Sequence, residues 1–471
     1  MVSLVIDKDR CPSIHTLFKW SQNNAGITIT GKSLESVARA REVLLKESKR
    51  RTVYGIHTRL GKLYDSKYLL DPSYEETVIN EHAVGVGPLT SPQIGRLFLA
   101  IRVIQATRGF TGIRPETIER LVKPLECNAA PAIPVRGSVG ASGDLAPTAH
   151  LVSQFLLGKG KVWVNGELVD AKRMLGDCGL EKWTLDRGEA LLLVNTTAYS
   201  TALLGYSLEL TRILFEDVIE DTLRIGEIIG ANCEHWSQVV SLAKRHPGMK
   251  KVLETLSRNC KGEQRRLQDP YSSRCAPNIL GAIQDGLDYI EQIVANETCS
   301  ASSNPISVQE GVVHQCGFHA VYPALASDYT AILLAWIANL IERRANKLLD
   351  DNYANLPKFL AHSKSSVGGM ILHYSIASLA SEIRADSAPR SVHNIPTSLD
   401  HEDIVSMSPN SGLRLLRMLS LLTDELYLEK ALVEIAEQVG KGGHPDIGKI
   451  YEYYKALAED VKRKYGIPQC Y

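Results

Sequence analysis

Residues Thr201–Gly230 read TALLGYSLELTRILFEDVIEDTLRIGEIIG. Apolar side chains return at helical spacing along the whole stretch. Its 30 residues far exceed the mean helix of about 11–12. Ala324–Asp351 and Ser411–Gly440 repeat the pattern. Long amphipathic helices must bury their stripes against one another. The expected fold is therefore mainly α, an elongated helical bundle. The first third of the chain has a different character. Gly55, Gly61, Gly85, Gly87, Pro88, Gly109, Gly112, Pro115, Pro131 and Pro134 lead into the run Gly137-Ser-Val-Gly-Ala-Ser-Gly143. Such punctuation marks turns between short elements. Residues 1–200 are expected as a loop-rich N-terminal region on one end of the bundle and 201–471 as the long-helix region, within one continuous fold.

Composition narrows the function. The chain has 471 residues, with 53 Lys+Arg against 53 Asp+Glu. A formal charge of zero gives no global field to draw it to nucleic acid or an anionic membrane. Hydrophobic residues are 44% and charged residues 23%, enough for a large core and against intrinsic disorder. The nine cysteines contain no C-x-x-C pair. Their scatter suits free thiols in a reducing compartment. No basic segment followed by an apolar one opens the chain, so a cytoplasmic location is expected. The longest apolar run, around Ala331–Ile341, is shorter than the roughly 20 residues a bilayer span needs and reads as a buried core helix.

Several motifs are weak on inspection. Gly26-Ile-Thr-Ile-Thr-Gly31-Lys32-Ser33 matches the P-loop pattern. Its preceding residues are polar and its interior is β-branched, which reads as a short strand. Ser33 is then expected to cap a helix. A P-loop nucleotidase built on Lys32 is a remote alternative. Asn195-Thr-Thr197 and Asn296-Glu-Thr298 match the glycosylation pattern, which has no meaning without secretion. Ser142 lies outside a G-x-S-x-G turn. His314 and His319 are five residues apart with no carboxylate motif, so no metal site is expected.

Arg136-Gly-Ser-Val-Gly-Ala-Ser-Gly-Asp-Leu-Ala-Pro147 is more specific. It resembles the signature of the aromatic amino acid ammonia-lyases and aminomutases, most closely the histidine ammonia-lyases. The resemblance continues in order through Tyr54-Gly-Ile-His-Thr-Arg-Leu-Gly61 and His82-Ala-Val-Gly-Val-Gly87. Gln268-Asp-Pro-Tyr-Ser-Ser-Arg-Cys-Ala-Pro277, Phe318-His319, Glu342-Arg-Arg344 and Pro396-Thr-Ser-Leu-Asp-His-Glu-Asp403 follow. It implies that Ala141, Ser142 and Gly143 cyclise, with loss of two waters, to a 4-methylideneimidazol-5-one ring (MIO). Glycine leaves the attacking backbone nitrogen unobstructed, and serine supplies the leaving hydroxyl. The product is an electrophile that the ordinary side chains lack.

The same resemblance implies the remaining roles. Tyr54 matches a catalytic base, whose phenolate needs nearby positive charge. Tyr271 matches the group that settles the MIO and shuttles protons. Arg274 matches the arginine that grips the substrate carboxylate. Asn195 and Gln268 match polar pocket members, and Phe318 an aromatic wall. His82 and Glu402 stand where histidine ammonia-lyases carry histidine and glutamate. A carboxylate accepts from an imidazole N–H, so this pair favours L-histidine, giving urocanate and ammonia. Tyrosine ammonia-lyase and MIO-dependent 2,3-aminomutase are the alternatives. Family members are homotetramers whose sites draw on three subunits, so Tyr54, Tyr271 and Glu402 need not meet in one chain. The sequence departs from the family pattern at His57, Arg59, Thr196, Cys299, Ser303, Gly317, His401 and Ile404.

Overall fold

The computed structural model describes residues 3–65, 71 and 73–468. Four long helices, Ala198–Ile229, Ala276–Thr298, Val321–Leu348 and Ser408–Gly440, form the bundle. Ser408–Gly440 sits at its centre. It packs on Ala198–Ile229 and Val321–Leu348, and is flanked by Met370–Asp386 and Ile447–Lys464. Leu415, Leu416, Leu419, Leu422, Leu426 and Val433 are buried around several sides of it, as expected of a helix enclosed by others.

Two buried ion pairs tie the bundle together. Arg344 forms a fork with both carboxylate oxygens of Glu429, at 2.6 and 2.5 Å. Arg414 reaches Asp328 at 2.6 Å. Arg344 is thus a bundle residue, and its motif does not face the functional cavity.

The apolar run around Ala331–Ile341 lies within Val321–Leu348. By length and composition that helix could cross a membrane, yet 72% of its most apolar window is buried inside the fold. The core-helix reading of the run agrees with this placement.

The N-terminal region consists of shorter helices and small sheets. Ile27–Ile29 pairs in parallel with Leu4–Ile6, and a helix begins at Gly31. Strand and helix leave no loop between them to cradle phosphate. Lys32 pairs with Asp9 instead. The cap of this helix is Thr30, whose hydroxyl accepts from Ser33 N–H. Ser33 is buried in the first turn, where its own hydroxyl accepts from Lys8 N–H at 2.8 Å. The expected Ser33 cap is therefore corrected by three residues.

Cysteine pairing also differs from expectation. Cys11–Cys299, Cys127–Cys178 and Cys233–Cys260 are disulfides. Their Cα atoms lie 5.9–6.1 Å apart, within bonding reach. Sequence separations of 288, 51 and 27 residues hide such pairs from a search for short spacings. The inference from free thiols to a reducing compartment loses its basis. Cys275 and Cys316 are free, and Cys470 lies outside the described residues.

Candidate active site

The loop from Gly137 to Asp144 joins strand Pro134–Arg136 to helix Leu145–Phe155. Three long helices begin against it. Ala320, before Val321–Leu348, donates its N–H to Gly140 O at 3.1 Å. Met407, before Ser408–Gly440, donates to Val139 O at 2.8 Å. Asp144 N–H donates to Thr196 O at 2.7 Å, just ahead of Ala198–Ile229. Helix N-termini carry partial positive charge, so the loop lies in a field that favours negative charge.

Asp144 uses that field. Fully buried, it accepts from Ser200 N–H at 2.8 Å and Ser200 Oγ at 2.9 Å. Burial pushes its carboxyl up to about 6, against those hydrogen bonds.

Gly143 has φ +78°, and a Cβ there would lie 2.6 Å from Thr196 O and 2.7 Å from Thr196 N. No other residue fits without moving backbone. Asn195, 3% exposed, donates from Nδ2 to Ser142 O at 2.7 Å and accepts from Asn304 N–H at 2.6 Å. The carbonyl of Ser142 is thus held while its side chain faces a cavity.

That cavity holds about 600 Å³, a size suited to a small molecule. Tyr54, Ala141, Ser142, Phe318 and Glu402 line it, with His314 and His401. The Ser142 hydroxyl donates to Glu402 Oε1, and the Thr397 hydroxyl donates to Oε2. Tyr54 and Glu402 therefore meet within one chain.

Tyr54 Oη accepts from Gly61 N–H at 2.7 Å. Its phenol is nonetheless pushed above the ordinary tyrosine value, first by burial and then by the Glu402 charge. Among the described residues, no Lys or Arg lines this cavity. The positive charge that a phenolate base needs is not supplied by the described residues of this wall.

The other expected residues lie elsewhere. Tyr271 is 71% exposed and borders a second cavity with Trp336, Arg343 and Lys347. Gln268 is exposed and Arg274 half-buried nearby. His82 ends helix Tyr74–His82, its Nδ1 on Val78 O at 2.7 Å, and does not line the Ser142 cavity.

Some residues were not singled out as site members. His314 Nε2 accepts from Tyr54 N–H at 3.1 Å, which anchors the tyrosine. Burial, then the Arg51 charge, lowers its pKa, so the ring keeps the lone pair this bond needs. Asn304 braces Asn195 and lines the cavity. His401 also lines the cavity and stacks on Tyr64, ring centroids 5.8 Å apart. Departures from the family pattern were a usable signal, because two of them, His401 and Ile404, belong to the cavity wall.

Thr196 has a structural explanation. Its hydroxyl accepts from Ala198 N–H at 3.2 Å, at the first residue of the long helix, and donates to Gln105 Oε1. Cys299 is taken up in a disulfide.

A serine loop on helix N-termini, opening beside a phenol and a carboxylate, marks an ammonia-lyase, an enzyme that breaks carbon–nitrogen bonds. The sequence profile described as "Aromatic amino acid lyase" matches residues 13–432. The chain belongs to that family. It is 31% identical over 447 residues to the probable histidine ammonia-lyase of Thermoplasma acidophilum, covering 92% of this chain and 90% of the relative. It is 35% identical over 401 residues to the histidine ammonia-lyase of Yersinia enterocolitica, covering 79% and 76%. Among solved structures it resembles the phenylalanine aminomutase of Pantoea agglomerans. There the TM-score is 0.88 at 25% identity, covering 98% of this chain and 94% of that one.

Proposed function

We propose that the chain converts Ala141-Ser142-Gly143 to the MIO ring and eliminates ammonia from L-histidine, giving urocanate. One observation carries this reading: Ser142 faces a cavity shared with Tyr54, Phe318 and Glu402, beside a glycine no larger residue can replace. The residues fit the ring. Gly143 permits the bend, and Asn195 holds the Ser142 carbonyl.

When formed, the ring supplies an electrophilic methylene that activates the amine as a leaving group. The chain's own groups do the rest. Tyr54 removes the β-proton through Oη. Glu402 accepts an imidazole N–H, which selects histidine over a phenyl side chain. Phe318 covers the ring, and Asn195 orients it.

Gln268, Tyr271 and Arg274 enter from neighbouring subunits of a homotetramer. Among the described residues, the Arg274 guanidinium has no hydrogen-bond or ion-pair partner, which suits a role in gripping a carboxylate from another chain. The positive charge that Tyr54 lacks comes from the same assembly.

Incubation with L-histidine, followed in the ultraviolet, should show urocanate forming with release of ammonia. Product from tyrosine but not from histidine would reject the substrate assignment. The likeness to an aminomutase favours a second reading, in which ammonia is re-added at the β-carbon. A β-amino acid among the products would establish it.

A further inference from the structure

Beside the start of the Ser142 loop lies a further cavity of about 460 Å³. It shares no lining residue with the Ser142 cavity. Four arginines line it. Arg136 ends strand Pro134–Arg136, Arg390 follows helix Met370–Asp386, and Arg414 and Arg417 lie in the first three turns of helix Ser408–Gly440. Among the described residues, no Asp or Glu lines it.

The carboxylates that pair with these arginines are set behind the wall. Arg414 reaches Asp328 at 2.6 Å, and Arg390 reaches Asp386 at 3.2 Å. Arg417 reaches Asp386 and Glu382, each at 3.1 Å. These pairs fix the guanidinium groups without filling the cavity. Arg414 is 3% exposed, and its Nε has no hydrogen-bond partner. Arg136 is exposed and, among the described residues, has no hydrogen-bond or ion-pair partner. Its Nη1 lies 2.8 Å from the position a Cβ on Gly87 would take, so that glycine, at φ +94°, leaves room for the guanidinium. Pro409 and Asn410, in the first turn of the 33-residue helix, also line the cavity. That end of the helix carries partial positive charge, which favours an anion.

We propose that this cavity binds a small organic phosphate at a site separate from the catalytic cavity. Guanidinium groups recognise carboxylate and phosphate alike. Here they converge from three elements of the fold. A tetrahedral dianion offers oxygens in several directions, whereas a carboxylate offers two in one plane. The volume leaves space beyond the phosphoryl group, and Val135, Val139, Met407 and Leu413 give that space an apolar wall suited to a short organic group.

The bound anion braces the Ser142 loop from the side away from the substrate. Gly137, Ser138 and Val139 form part of the cavity wall. Val139 O accepts from Met407 N–H at 2.8 Å, and Ser406 Oγ donates to Gly140 O at 2.8 Å. A ligand held by Arg136 and Arg417 ties the strand that enters the loop to the helix that supports it. The site contains none of Ala141, Ser142 and Gly143, so it does not depend on the MIO ring.

Isothermal titration calorimetry on the full chain, with inorganic phosphate and with butyl phosphate, tests the proposal. One site per chain is expected, tighter for butyl phosphate and weaker as salt rises. Arg136→Gln should weaken binding about 10- to 100-fold, through loss of a charge-assisted hydrogen bond. Arg417→Gln, at an exposed position, should also weaken it and keeps the test decisive if Arg136→Gln does not fold. Ser142→Ala should bind as the wild type does, which separates this site from the MIO reading. Arg274→Gln should also bind normally; loss of binding there would place the phosphate in the substrate site and overturn the proposal. No binding to the wild type at millimolar concentration would overturn it. So would butyrate binding as tightly as butyl phosphate. Undiminished binding by both Arg136→Gln and Arg417→Gln would mark an adventitious ion only and reject the site. Sedimentation provides the last outcome. Wild-type copies that associate and separate in Arg136→Gln, with no phosphate bound by either, would make a carboxylate of a second copy the occupant and refute the proposal.

Discussion

Replacing Gly143 by alanine isolates the geometric demand at the centre of the site. The added Cβ meets Thr196 O at 2.6 Å and Thr196 N at 2.7 Å, at a residue with φ +78°. The left-handed conformation costs alanine about 1–2 kcal/mol. Relief of the overlap costs about 1–3 kcal/mol more. Together these give about 2–5 kcal/mol, a large share of the stability of an ordinary domain. The comparison is best made in a Ser142→Ala background, where no ring can form in either chain. Chemical denaturation of Ser142→Ala with and without Gly143→Ala then reads the fold alone. The colliding atoms belong to the Thr196 backbone, so adding Thr196→Gly should not restore stability. A loss under about 0.5 kcal/mol, typical of neutral surface changes, would refute the close approach. So would rescue by Thr196→Gly. In the otherwise wild-type chain, Gly143→Ala should also keep its full translated mass.

Other expectations follow from the same structure. Tyr54→Phe should reduce kcat by about 10²–10⁴ if the phenol is the base, while its loss as partner of Gly61 N–H costs about 1–3 kcal/mol in a denaturation assay. Thr196→Ala should lower stability by about 1–3 kcal/mol in the same assay, because it takes a buried partner from Gln105 Oε1 and Ala198 N–H. Burial raises the Glu75 carboxyl to about 6 from 4.5, against hydrogen bonds from Gly188 and Ala190 N–H. The folded state thus holds its proton more tightly than the unfolded one. The contribution is fully present below pH 4.5 and is lost as pH rises through about 6. That amounts to about 2 kcal/mol, and Glu75→Gln should remove this slope from a plot of stability against pH. Alkylation of the unfolded, unreduced chain should leave six cysteines unlabelled, whereas labelling of all nine would contradict the pairing.

The sequence made some parts of the molecule legible and hid others for physical reasons. Thr201–Gly230 announced its helix because a buried stripe must repeat every turn, and the helix runs Ala198–Ile229. The approach of Glu402 to Ser142 is different. Its residues matched a family pattern, but contact between positions 260 residues apart depends on three helices converging at one end. The Thr30 cap displaced Ser33 because both residues are capping types, and only the strand end at Ile29 decides between them. Tyr271 and Arg274 sit in recognisable motifs, yet one chain leaves them on a separate surface. Their proposed role depends on an assembly that a single sequence does not display. The disulfides were hidden because loop closure is settled by tertiary packing rather than local spacing.

The proposed activity turns on a prosthetic group made from Ala141, Ser142 and Gly143. Intact mass of the folded wild-type chain, with peptide mapping of residues 136–147, tests it directly. The predicted result is a loss of two waters confined to that peptide. A peptide of full mass, in a protein that still releases ammonia from histidine, would contradict it.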